Sequence, residues 1–177
     1  DAVGLTCVGE GIVRTIPPRR TPSHLRGIYD SLEHTSAVGQ TELVAGLHEL
    51  SETTAQRAFV VILSDLFVQP APLREVFDHL RFRKHAVAVF HRLDPQELNF
   101  QFRRPTRFVD MEGSESVFAD PGEIHDRYRK AISDYLDEIK AIMLESAIDY
   151  HRISIDEDYE QVLFRFLAGR TKSRGVR

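Results

Sequence analysis

Only one cysteine, Cys7, and no tryptophan occur in the 177 residues. A single thiol excludes a disulfide framework and any cysteine-based zinc site. No apolar run approaches the roughly 20 residues that a membrane-spanning helix needs. The opening, Asp1-Ala2-Val3, lacks the basic n-region of a signal peptide. An excess of charge is lacking too. The 23 basic and 27 acidic residues leave a net −4, which disfavours a dedicated nucleic-acid binder. Low-complexity stretches, internal repeats and dividing linkers are all absent. What remains is an ordinary globular composition, 42% hydrophobic and 28% charged, at a length suited to one domain. The expectation is a soluble, cytoplasmic α/β domain with no membrane contact in this segment. An opening at Asp1 suggests a piece of a longer chain, so an anchor further upstream stays compatible with it.

The pattern along the chain alternates strands and helices. Val3 to Val8 and Ile12 to Ile16 are rich in β-branched residues and flank Gly9-Glu10-Gly11, which reads as an antiparallel hairpin. Pro17-Pro18-Arg19-Arg20 ends it. Thr21 as N-cap and Pro22 in the first turn open a helix to about Glu33. Leu43, Leu47 and Leu50 give a second helix from Glu42 to about Ala55. Ala58 to Leu63 is a continuous apolar run, expected as a strand buried on both faces. A helix over Pro70 to Lys84 and a buried strand over Ala86 to Phe90 follow. Asp94-Pro95-Gln96-Glu97 is a capping box that starts a single turn. Thr106 to Asp110 and Ser116 to Ala119 form a second hairpin around Glu112-Gly113-Ser114, which ordinary turn chemistry explains.

Asp120-Pro121 starts the longest helix, to about Ala147, with Tyr128, Ile132, Tyr135, Ile139 and Ile142 as its apolar stripe. Tyr150 to Ile155 is the last strand and Tyr159 to Leu167 the closing helix. The domain runs over 1–169. Residues 170–177, four of them basic, make a frayed tail.

Such alternation implies a mainly parallel sheet with helices on both faces and an antiparallel hairpin at its edge. Ligands in these sheets sit beyond the carboxyl ends of the strands. Asp65, directly after the Ala58 to Leu63 strand, is therefore the first candidate, although a turn residue would look the same. Thr41, in Gly39-Gln40-Thr41-Glu42, is the second; an N-cap would explain it equally. His79, His85 and His91 recur every six residues, a spacing that gathers them on no single face, and read as surface or edge residues. Cys7, within an apolar strand, reads as core. Arg14, Arg19, Arg20 and Arg26 form a small basic cluster, either a solvated rim or a contact for an acidic partner.

The order hairpin, Pro-Pro-Arg-Arg, helix, Gly-x-Thr-Glu-Leu and a strand ending Ser64-Asp65-Leu66-Phe67 resembles the von Willebrand factor A fold, a Rossmann-like three-layer sandwich. More narrowly, the chain is similar to the bacterial family catalogued as domain-of-unknown-function 58. Asp1-Ala2-Val3-Gly4-Leu5, Leu93-Asp94-Pro95 with Glu97-Leu98, and Asp120-Pro121 extend the likeness over nearly the whole chain. The resemblance implies a metal-ion-dependent adhesion site with Mg²⁺ held at Thr41 and Asp65. It also implies a non-enzymatic role beside a MoxR-type AAA+ ATPase in assembling or remodelling proteins; the basic cluster, read by itself, adds Arg19 and Arg20 as a minor partner contact. The family's Asp-x-Ser-x-Ser occurs nowhere in the sequence. Glu112-Gly113-Ser114-Glu115-Ser116 has its spacing but lacks its aspartate and its place in the order. The reading is therefore an N-terminally truncated domain without its first strand. Its metal site is incomplete and holds Mg²⁺ weakly, and a slot is open beside the Ala58 to Leu63 strand. A metal-dependent hydrolase or phosphotransferase using Asp65 is the alternative. It lacks the convergent carboxylates, cationic clamp and phosphate loop such chemistry needs.

Overall fold

The computed structural model describes residues 1–36, 39–110 and 115–174. Strands β1 (Val3–Gly9) and β2 (Gly11–Arg19) form the expected hairpin, with Gly9 opposite Gly11 at the turn. Gly11 supplies the positive φ of +88° that closes so short a connection. Helices α1 (Pro22–Glu33) and α2 (Leu43–Thr53) follow, then β3 (Phe59–Ser64) and α3 (Pro70–Phe82). Next come β4 (Ala86–Leu93), α4 (Pro95–Asn99), β5 (Thr106–Val109) and β6 (Ser116–Ala119). Helix α5 (Pro121–Glu145), strand β7 (Asp149–Ser154) and helix α6 (Tyr159–Arg174) complete the chain. The tail expected to fray from residue 170 instead prolongs α6 through Arg174. Of the second hairpin, Glu112, Gly113 and Ser114 lie outside the described residues.

Three strands make the parallel sheet, in the order β3-β4-β7, and β1-β2 and β5-β6 are separate antiparallel pairs. The fold is thus mixed α/β. Strand β4 is central because it is apolar on both sides. Its Val87 and Val89 join α2, α3 and α5 in the larger core, around Leu73, Val76, Phe77, Leu80, Ile139, Ile142 and Met143. Its Ala88 and Phe90 point the other way, to Val162 and Phe166 of α6. Helices therefore cover both faces. Pro70 at the start of α3 costs no hydrogen bond, because first-turn amides have no intrahelical acceptor. At α4 the capping box is present: Asp94 Oδ1 accepts from the Gln96 amide at 2.7 Å and Glu97 Oε2 from the Asp94 amide at 3.0 Å.

The expectation for β3 needs correction. Its apolar run is not buried on both faces. Val60 and Ile62 turn to the larger core, but Phe59, Val61 and Leu63 are 42%, 42% and 69% exposed. Among the described strands β3 pairs with β4 alone, so its other backbone edge is open. The hairpin does not fill this place, because it is tied to α2. The Glu42 amide donates to the Gly9 carbonyl at 2.7 Å, and a Cβ on Gly46 would come within 2.6 Å of Val8 Cγ1.

His85 also departs from its sequence reading. Read as a surface or edge residue, it is instead buried at the turn into β4, where its Nδ1 accepts a hydrogen bond from the Ala58 amide at 3.2 Å. Accepting requires a bare lone pair, so the ring must be neutral. Burial lowers its pKa below 6.5, with the nearby Arg83 and His79 adding to the effect. The unfolded chain then takes up the proton first, and stability present above pH 6.5 is lost as pH falls below it. We expect thermal unfolding scans to show a slope of at most about 1.4 kcal/mol per pH unit from this group. His85→Asn, which keeps an acceptor without titrating, should remove that part. An unchanged slope in the variant would show that His85 is not responsible.

Candidate functional site

The carboxyl ends of β3 and β4 carry the site. Past Ser64 the chain must leave the sheet and reach Pro70 within six residues, and it does so through a turn centred on Leu66. That residue has φ +54°, a left-handed conformation costly for a branched side chain, yet it is fully buried. Core burial of the leucine offsets the strain. Its amide donates to Ser64 Oγ at 3.0 Å, and its carbonyl accepts from the Val68 amide at 2.6 Å. The hydroxyl of Tyr135, from α5, donates to the carbonyls of Leu66 and, at 3.2 Å, Val68. Burial raises the Tyr135 pKa, so it remains a donor.

This bracing presents two neighbours to solvent. Asp65 is exposed, and its Oδ1 accepts from the Phe67 amide at 3.3 Å. That bond is the Asx turn foreseen as the alternative to a ligand role. The Phe67 ring is 90% exposed, an unusual place for so large an apolar group beside a rigid carboxylate.

Beneath the turn lies His91, in register with Ser64 and fully buried. The sequence reading of a surface or edge residue is corrected here, since β4 is the central strand of the three. The 6-residue spacing carried no sign of it, since a histidine in an apolar strand looks the same whether it points inward or out. His91 Nδ1 is hydrogen-bonded to the Tyr150 hydroxyl of β7 at 2.7 Å. Burial lowers the pKa of the ring, against the upward pull of the Asp65 backbone and carboxylate. Burial likewise pushes Tyr150 up to about 12. Both partners stay neutral at physiological pH. The Tyr150–His91 pair ties β7 to β4 behind the exposed turn, a link that sequence reasoning missed.

Thr41 stands immediately before α2, whose N-cap position falls on Glu42 rather than on the threonine. Helices α2 and α3 run side by side in the same direction: Glu52 meets His79, and the Glu52 backbone carbonyl meets Arg83. Since α3 starts where the 64–69 turn ends, Thr41 lies toward the same end of the sheet as Asp65. Together they offer one hydroxyl and one carboxylate, against the six oxygens of octahedral Mg²⁺. Among the described residues, no three histidine, cysteine, aspartate or glutamate side chains converge. Arg19 and Arg20 are exposed at the far end of β2, while Arg14 is held by Ser31 Oγ at 3.0 Å and faces α1. Cys7 is half-buried.

A family profile described as "Protein of unknown function DUF58" matches residues 1–138. No curated protein matches the chain. Among solved structures, that of an uncharacterized membrane-spanning protein from Vibrio fischeri aligns at 17% identity. The alignment covers 96% of this chain and 75% of that one, with a TM-score of 0.27. Among the described residues of this chain, no helix is long and apolar enough to cross a membrane.

Proposed function

The chain belongs to the family of proteins of unknown function DUF58, and from that premise we propose that it is a non-enzymatic protein-interaction module. One observation carries this reading: the turn after β3 is braced from below, yet what it displays is an exposed aromatic ring next to an exposed carboxylate. Pre-set loops of this kind bind with little ordering cost, and aromatic rings, Phe among them, are enriched at protein interfaces over the rest of the surface. The partner proposed is a MoxR-type AAA+ ATPase, the class implied by the resemblance. Asp65 and Phe67 form the contact, Arg19 and Arg20 are secondary, and Mg²⁺ enters only as a weakly held bridge at Thr41 and Asp65.

The test is calorimetric titration of the chain into such an ATPase, with and without Mg²⁺. Phe67→Ala should weaken binding by at least tenfold, the loss of one aromatic anchor. Asp65→Ala should weaken it further and remove any Mg²⁺ dependence. Neither side chain is buried, so both variants should keep the wild-type free energy of unfolding within about 0.5 kcal/mol. Binding that survives both substitutions unchanged would overturn the site. Micromolar Mg²⁺ binding by the chain alone would overturn the account of an incomplete metal set.

A further inference from the structure

Two histidines meet between α2 and α3, on the outer side of the larger core and away from the turn that displays Asp65 and Phe67. We propose that His48 and His79 form a site for a divalent transition metal of the zinc class, joining the two helices. The spacing is the first reason. His48 Nδ1 lies 3.3 Å from His79 Nδ1. Two imidazole nitrogens held at roughly 2.0–2.1 Å by one tetrahedral Zn²⁺ stand about 3.3–3.4 Å apart. The pair therefore already holds the separation that the ion imposes. The ring centres are 5.6 Å apart and the planes meet at 41°. The rings must tilt until both lone pairs meet at one point, and the χ2 torsion of histidine is broad enough to supply that.

Glu52 is the second reason. Its Oε1 lies 3.0 Å from His79 Nε2. A carboxylate only accepts, so Nε2 carries the hydrogen, and the neutral ring keeps a bare lone pair at Nδ1, on the side of His48. Metal-bound histidines show this same arrangement: the far N–H is given to a carboxylate, which fixes the tautomer and raises the basicity of the ligating nitrogen. Without the ion, a proton on His48 Nδ1 bridges the two rings. With it, that proton moves to His48 Nε2, and both rings stay neutral. Two histidines alone would be an ordinary polar contact; the carboxylate behind one of them makes it a ligand pair.

The helices supply the rest. His48 follows Leu47 and His79 precedes Leu80, both buried in the larger core, so the backbones that carry the rings are fixed before any ion arrives. The side chains of His79 and Glu52 are 28% and 64% exposed, which leaves a path from solvent. Among the described residues no third histidine, cysteine, aspartate or glutamate completes a ligating group, so water fills the two remaining positions and the ion is exchangeable. Imidazole donors suit Zn²⁺, Ni²⁺ and Cu²⁺, whereas Mg²⁺ demands oxygen. The site is thus separate in place and in chemistry from Thr41 and Asp65.

Calorimetric titration of the untagged 177-residue chain with ZnCl₂ tests this, alongside melting scans at rising Zn²⁺. The expected result is saturable binding of one ion per chain and a melting midpoint that climbs with Zn²⁺, as binding to the folded state alone requires. Millimolar Mg²⁺ should not displace it. His48→Gln and His79→Gln should each weaken binding by tenfold or more and abolish the rise in midpoint. Glu52→Gln should keep the stoichiometry but weaken binding about 10- to 100-fold, the usual effect of losing a carboxylate behind a ligating histidine. His125→Gln, at an exposed histidine of α5 paired with Asp126, should change nothing. Melting scans without metal show whether each variant is folded. No saturable Zn²⁺ binding by the wild-type chain overturns the proposal. So does binding that survives both histidine substitutions, since other ligands would then hold the ion.

Discussion

Phe77→Ala should lower the free energy of unfolding by about 3–5 kcal/mol, as aromatic truncations in a closed core do. Phe77 is fully buried, on the face of α3 that also carries Leu73, Val76 and Leu80, and it belongs to the cluster that joins α2, β3, β4 and α5. Few neighbours can move in to fill the gap, because each is already held by a helix or the central strand. Domains of this size are stable by only about 5–15 kcal/mol. The variant should therefore melt far below the wild type, or be partly unfolded at 37 °C. Urea denaturation followed by far-UV circular dichroism measures it, and a loss below about 1 kcal/mol would mean that the three-strand sheet is not the stabilising centre of the fold.

Leu66→Ala should cost about 2–5 kcal/mol and take partner binding with it. Two terms compete at this position. The left-handed backbone costs about 1–2 kcal/mol for any side chain with a Cβ, while burying the leucine stabilises by about 1.5–3 kcal/mol before any cavity is counted. Burial wins, so Leu66→Gly should also be destabilising even though it relieves the backbone. Its loss should be smaller than that of Leu66→Ala by up to about 1 kcal/mol, less whatever glycine loses through the freedom it gains in the unfolded chain. The unfolding midpoints of the two variants decide the matter. A glycine variant more stable than wild type would show that strain, not packing, governs the turn. In both variants the platform under Asp65 and Phe67 is loosened, so binding should weaken even at temperatures where the chain stays folded.

The helices were legible because their signals are local. Pro22, Pro70, Pro95 and Pro121 each stand in the first turn of a helix, and Asp94 with Glu97 closes the capping box that its spacing announces. Periodicity was less exact along α5. Of the stripe Tyr128-Ile132-Tyr135-Ile139-Ile142, only Ile139 and Ile142 are fully buried. Its earlier half instead meets an aromatic cluster outside the sheet, with Phe100 stacked on Tyr128 at 4.2 Å. Asp65 was found by a positional rule, and the structure leaves it at the strand end where that rule put it. The bracing of its turn comes from Tyr135 of α5, 69 residues beyond Leu66 in the chain. No spacing within the sequence could announce that.

Strand β3 marks the boundary between the two kinds of information. Alternation of apolar runs with periodic segments determined by itself that the chain is α/β, that β3 and β4 are strands, and that helices cover them, because these follow from burying the nearest apolar face. It could not determine which side chains of β3 would be covered: Val60 and Ile62 reach the core while Phe59, Val61 and Leu63 stay exposed. An apolar run records only that both faces are able to be buried, whereas exposure depends on which strands come to lie alongside, and that is decided by long-range pairing. The same holds for His85 and His91. Their chemistry is plain in the sequence, but whether each meets water or the Ala58 amide and the Tyr150 hydroxyl is settled only when the sheet assembles, since burial and hydrogen bonding across strands belong to the packed chain alone.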